Sequence, residues 1–218
     1  MTAGAPSPEA LYPSKAGAGA LLGRQLSQRF PPPVVILGIA PTGVEVAAAA
    51  AKAMNCAFDV IIGSQIRLDE AGVVGAVAED GDSALDPDFA PKFGMMDALN
   101  EAIDRARRAI KTERLLFRGQ RQLRSLEGAS VIIVDGQITS PWKVLAAADF
   151  AQKMGASRVG IAAPVSTQSV QERIRARKLD FISPSILLEA GGHSRPFGDP
   201  EDPSAERLRS IVVARQAA

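Results

Sequence analysis

One cysteine, one histidine and one tryptophan are all that 218 residues supply, and each scarcity excludes something. Cys56 has no partner for an internal disulfide, which fits a reducing compartment. Placed just ahead of Ala57 and Phe58, it reads as a buried structural thiol. His193, in Gly191-Gly192-His193-Ser194-Arg195-Pro196, stands far from any Cys/His cluster, so no zinc site and no Ser/His/Asp arrangement can be read from it. It reads as an exposed loop residue. Net charge of one sign is also missing: 25 Lys and Arg face 24 Asp and Glu, leaving +1. A basic field that grips nucleic acid or anionic lipid is therefore not expected. The longest apolar runs, Val34–Ala40 and Val44–Ala51, are too short to span a bilayer. Met1–Lys15 is rich in Pro, Ala, Gly and Ser and lacks the charged start and apolar stretch of a signal peptide. These absences together predict a cytoplasmic protein with neither nucleic acid nor membrane as partner.

What remains is an ordinary globular composition arranged as alternating strands and helices. A loose tail of residues 1–14 precedes a single domain, 15–218. The pattern predicts a helix from Ala18 to Phe30, stopped by Pro31-Pro32-Pro33. Val34–Ala40 is continuously apolar, as expected of a strand covered on both faces of a parallel sheet. A helix over Val44–Met54, a strand over Phe58–Gly63 and a strand over Val131–Val134 follow. Then come a helix over Lys143–Met154 ending at Gly155, and a strand over Arg158–Ala163. A helix over Ser169–Lys178 is expected, with Ser169 and Glu172 at capping-box spacing. Phe181–Leu188 reads as a fifth, edge strand because of Pro184. The alternation predicts an α/β fold, a mostly parallel central sheet flanked by helices. Gly17-Ala-Gly19-Ala-Leu-Leu-Gly23 echoes a dinucleotide-binding glycine pattern, but it follows a tail rather than a strand, with the wrong spacing.

Two segments interrupt the alternation. Residues 67–97, a hood or flap insertion, carry eight acids (Asp69, Glu70, Glu79, Asp80, Asp82, Asp86, Asp88, Asp97) against Arg67 and Lys92. A helix over Ala98–Phe117 follows. Residues 98–124 hold eight Lys or Arg against Glu101, Asp104 and Glu113. The expectation is a solvated basic helix face attracting an acidic flap, with a dedicated binding surface as the alternative.

In open parallel sheets, ligands bind beyond the carboxyl ends of the strands, where strand order reverses. After the third strand the chain reads Asp135-Gly136-Gln137-Ile138-Thr139-Ser140-Pro141-Trp142-Lys143. An acid at a strand end followed by a hydroxyl-bearing turn into a helix suits a phosphorylated sugar: the acid accepts from sugar hydroxyls and the helix start donates to phosphate. Ser140-Pro141 also reads simply as a helix cap followed by a first-turn proline. Trp142 reads as packing on the sheet rather than stacking on a ligand.

Val131–Lys143, together with Val34–Val46 (VVILGIAPTGVEV), Gly75–Gly81 (GAVAEDG) and Glu113–Gly119 (ERLLFRG), resembles the type I phosphoribosyltransferase family. The likeness runs in order over roughly residues 15–190 and is closest to the bacterial stand-alone phosphoribosyltransferase-like proteins. It implies a parallel sheet flanked by helices under a small flexible hood, a homodimer, and a place in nucleotide metabolism. The implied reaction transfers ribose 5-phosphate from phosphoribosyl pyrophosphate, with Mg²⁺, to a nitrogen base or amine. Asp135 then takes the catalytic place, Thr139, Ser140 and Lys143 the 5-phosphate turn, and Thr42 and Gly43 the pyrophosphate turn; no residue is assigned to a metal.

The chain departs from the family pattern at both turns. Two adjacent acids are usual, and here the second place is Gly136. Pro141 has no N–H to donate, and Trp142 stands where small residues admit phosphate. The usual Arg-Gly-Gly turn is Ala40-Pro41-Thr42-Gly43, without its arginine, a loss of about 2–5 kcal/mol opposite a charged leaving group. Three functions stay open: an impaired transferase-like binder of a phosphorylated ribose compound, with a regulatory role; an active transferase using Mg²⁺; and a protein–protein interaction module in which Pro141 and Trp142 fill the old site. The isomer of Ala40–Pro41 is also open.

Overall fold

The computed structural model describes residues 10–69, 71–89, 94–188, 195–199 and 204–216. It begins with helix α1 (Lys15–Leu26), capped by the Ser14 hydroxyl accepting from the Gly17 N–H. Strand β1 (Val34–Ile39) leads into α2 (Val44–Met54) and β2 (Ala57–Ile61). Three short strands follow: β3 (Ser64–Leu68), β4 (Gly72–Val77) and β5 (Ser83–Leu85). The long helix α3 (Met95–Arg118) then returns the chain to β6 (Ser130–Val134), β7 (Gln137–Ile138) and α4 (Trp142–Lys153). The remaining elements are β8 (Arg158–Ala162), β9 (Val165–Thr167), α5 (Gln168–Ala176), β10 (Asp180–Ile182), β11 (Ser185–Leu187) and α6 (Ala205–Gln216).

Five strands form an all-parallel sheet in the order β10-β8-β6-β1-β2. The unbroken apolarity of β1 has the expected cause, since successive side chains point to opposite faces. Val34 and Ile36 join a core with Leu22, Leu26, Val60 and Ile132 beneath α1, α2, α3 and α6. Val35, Leu37 and Ile39 join the opposite core with Val131, Ile133, Trp142 and Leu145 beneath α4 and α5. Among the described residues no helix is long and apolar enough to cross a membrane.

The glycines of α1 have a packing role. A Cβ on Gly23 would stand 2.6 Å from the Ala50 carbonyl oxygen, and one on Gly19 would strike that of Val46. Bare backbone lets α1 lie directly on α2, and no nucleotide is needed to explain the pattern.

Several expectations change. The acidic hood is not featureless: β3, β4 and β5 form an antiparallel sheet of their own, with Ile66, Leu68, Val74, Ala76 and Val77 buried. Its acids turn mainly to other helices than the basic one. Lys153 of α4 pairs with Asp80 and Asp82, and Arg173 of α5 with Asp86 and Asp88. From α3, Arg107 donates to the Gly81 carbonyl and Arg118 pairs with Glu79. The expected strand over 181–188 is two strands, β10 at the edge of the main sheet and β11 in a second parallel sheet with β9 and β7. Helix α5 is capped by Thr167, whose hydroxyl accepts from the Val170 N–H, not by Ser169, because α5 starts directly from β9. Cys56 is only half-buried, since it lies in the turn after the left-handed Asn55. The tail ends earlier than expected: Tyr12 is buried, donating its hydroxyl to the Pro164 carbonyl at 3.1 Å. Residues 1–9 and His193 lie outside the described residues.

Candidate functional site

Sequence order reverses between β1 and β6. From β1 the chain steps outward to β2 on one side, while β6, β8 and β10 follow on the other. The two loops beyond the carboxyl ends of β1 and β6 therefore face each other, where open α/β sheets bind ligands. Residues 40–43 form one wall and residues 135–141 the other.

Gly43 lets these walls touch: a Cβ there would strike the Val134 carbonyl and stand 2.9 Å from the Asp135 Cα. Across the seam, Thr42 Oγ1 donates to Asp135 Oδ1 at 2.5 Å. The same oxygen accepts from the Gly136 N–H at 2.7 Å. Asp135 Oδ2 lies 3.4 Å from Lys143 Nζ. The Asp135 side chain is 5 % exposed, so its charge is held by one hydroxyl, one amide and one ammonium of its own chain. Such full pairing is what a buried carboxylate requires. The Ala40–Pro41 peptide is cis.

The structure thus brings together Asp135, Thr42, Gly43 and Lys143. Thr139 is exposed on the same turn. Ser140 follows it, its Oγ buried and without a hydrogen-bond partner. Ser140 does not cap α4, contrary to the reading of Ser140-Pro141 as cap and first-turn proline. Pro141 occupies the cap position with helical angles and no side-chain cap bond, which leaves the serine one residue too early to reach the first amides. Trp142 is 8 % exposed and packs into the core, as expected, with the Arg173 guanidinium 5.4 Å from its ring centre. Its indole is buried in the core rather than presented at the surface.

Three neighbours were not legible as site residues. Glu113 of α3 has its carboxyl pushed up by burial, opposed by the Lys143 charge; nothing in the sequence sets it apart from Asp97, Glu101 and Asp104 on the same helix. Gly63 adjoins Lys143, whose Cγ lies 3.3 Å from the place of a Cβ. Phe197, in the segment after Gly191, reaches the rim: its ring edge is 3.9 Å from where a Gly136 Cβ would be.

Comparison with known proteins agrees with this geometry. The profile of the phosphoribosyl transferase domain matches residues 14–190. Two curated proteins of Mycobacterium tuberculosis strains, each named "Putative phosphoribosyl transferase", are 27 % identical over 199 residues. The match covers 88 % of this chain and 45 % of theirs, so the chain spans under half the length of these relatives. The crystal structure of TT1426 from Thermus thermophilus is similar with a TM-score of 0.77 and 25 % identity, over 93 % of this chain and 98 % of that one. The AQ2163 protein of Aquifex aeolicus shares the fold alone, with a TM-score of 0.50 and 10 % identity over 90 % and 82 % of the two chains. With the parallel sheet, the strand-order reversal and the acid-bearing turn in place, the chain belongs to the phosphoribosyl transferase domain family.

Proposed function

We propose that the chain binds a phosphorylated ribose compound at the meeting of the β1 and β6 loops, with transferase turnover reduced or lost. The state of Asp135 carries this reading. Its oxygens are engaged by Thr42, Gly136 and Lys143, so little acceptor capacity is left for ribose hydroxyls. Transfer also demands that charge be stabilised on the departing pyrophosphate, and residues 40–43 bring no cation to that place. Binding of the 5-phosphate is better provided for. Lys143 supplies an ammonium, while the Thr139 hydroxyl and the unpartnered Ser140 hydroxyl supply donors from the same turn.

Family chemistry implies Mg²⁺, and the donor set here does not fit a protein-held divalent cation. Asp135 is the one carboxylate on its turn and is already paired. Among the described residues no three His, Cys, Asp or Glu side chains are grouped to hold a metal. Hard cations of this kind take several oxygen ligands, so no step is derived through the ion.

Calorimetry with ribose 5-phosphate, alongside a pyrophosphate-release assay with phosphoribosyl pyrophosphate, Mg²⁺ and candidate bases, tests the reading. Saturable binding of ribose 5-phosphate is expected, weakened about tenfold or more in Lys143→Ala, with release at background. Sustained release abolished by Asp135→Asn would refute the loss of turnover. No binding of either compound would refute the site itself.

A further inference from the structure

Beside the end of α3 and the last turns of α4 lies a cavity of about 280 Å³. Arg114 and Arg118 of α3, Arg121 of the following loop and the carboxylates Glu79 and Asp80 form its polar wall, and Leu123, Phe150 and Met154 its apolar wall. Three guanidinium groups in one small space repel one another unless anions intervene.

Two of the three charges are only partly answered by the protein. Arg121 is paired with Asp59. Arg118 pairs through Nη2 with Glu79, yet its Nε and Nη1 are buried with no hydrogen-bond partner, and its side chain is 2 % exposed. Arg114 makes no ion pair among the described residues. The acids nearby are committed elsewhere: Glu79 accepts from the Ile62 N–H as well as pairing with Arg118, and Asp80 is drawn off by Lys153. Buried charged donors almost always have acceptors, and an acceptor entering from the cavity would complete this arrangement. The guanidinium fork matches the two oxygens of a carboxylate or phosphate. Burial holds the Arg118 guanidinium below its ordinary value; the Asp59 charge opposes this and the Arg121 charge adds to it, and an added anion would act as Asp59 does.

We propose that this cavity binds a small organic anion, its phosphate or carboxylate group on Arg118 and Arg114 and its carbon skeleton on Leu123, Phe150 and Met154. The cavity shares no lining residue with the Asp135 turn, and the proposal does not depend on the function proposed there.

The full chain, titrated with phenyl phosphate, benzoate and inorganic phosphate while arginine Nε–H signals are followed by NMR, decides the matter. A saturable shift of the Arg118 signal is expected with phenyl phosphate or benzoate, whichever head group the fork prefers, at lower concentration than with inorganic phosphate. Arg114→Ala, at an exposed helix position, should weaken binding about tenfold, whereas Asp135→Asn should leave it unchanged. No saturable shift with any of the three would make Arg118 a structural residue and end the proposal. Equal binding of phenyl phosphate and inorganic phosphate would refute the apolar wall, and loss in Asp135→Asn with retention in Arg114→Ala would move the anion to the other site.

Discussion

Arg118 and Glu79 offer a sharp test of how the hood sheet is fastened. Their side chains are 2 % and 6 % exposed and face each other across the junction of α3 with the loop after β4. Glu79 also accepts from the Ile62 N–H at 3.0 Å, where the chain leaves β2 for the hood. One carboxylate therefore ties the exit from the main sheet, the return from the hood and α3 together. Removing either partner leaves a buried charge unanswered, which costs about 3–5 kcal/mol. Removing both with apolar residues of similar volume lifts that charge penalty but still leaves the Ile62 N–H without its acceptor, so a loss of about 1–3 kcal/mol remains. Urea unfolding of Arg118→Met, Glu79→Leu and the double variant supplies the cycle. The single variants should each lose about 3 kcal/mol or more, and the double variant much less than their sum. Additive losses, or single losses below about 1 kcal/mol as for exposed pairs, would refute the burial argument.

Three further outcomes are expected. Glu113 has a raised folded-state pKa, so the folded chain binds that proton more tightly and stability falls as pH rises from the ordinary glutamate value through the raised one. Denaturation across this window should show Glu113→Gln more stable than the native chain at neutral pH, the difference vanishing in acid. Gly43→Ala must displace backbone at Val134 and Asp135, costing about 1–3 kcal/mol by thermal unfolding, and should weaken ribose 5-phosphate binding. Arg173→Ala removes the cation over Trp142 and the fork to Asp86 and Asp88; tryptophan emission, arising from a single residue, should shift to the red, and an unchanged spectrum would contradict the contact.

The main sheet was legible because its strands are buried on both faces, and continuous apolar runs such as Val34–Ala40 and Val131–Val134 have no other easy reading. The hood strands were hidden for the opposite reason. Gly72–Val77 carries two glycines and is followed closely by acids, and its partners Ser64–Leu68 and Ser83–Leu85 are set by antiparallel register that no local pattern announces. At the site, Asp135 stood out by its position after a strand, while Thr42, Gly43 and Lys143 entered only with the family resemblance. Their mutual contacts were not legible, because a hydrogen bond between residues 93 positions apart depends on strand order. The caps of α4 and α5 were misplaced by one or two residues, since Ser140, Pro141, Thr167 and Ser169 all suit a helix start and only backbone angles choose among them.

The glycine-bare contact of α1 with α2 reaches further than packing. Directly before α1, Tyr12 exchanges backbone hydrogen bonds with Pro196 and Gly198, and the Lys15 N–H donates to Asp199 Oδ2 at 2.6 Å. Phe197, between these anchors, borders Gly136. Helix α1 is thus the mounting plate for a strap at the mouth of the binding turn, and a methyl group added at Gly19 or Gly23 would tilt the plate and carry Phe197 with it.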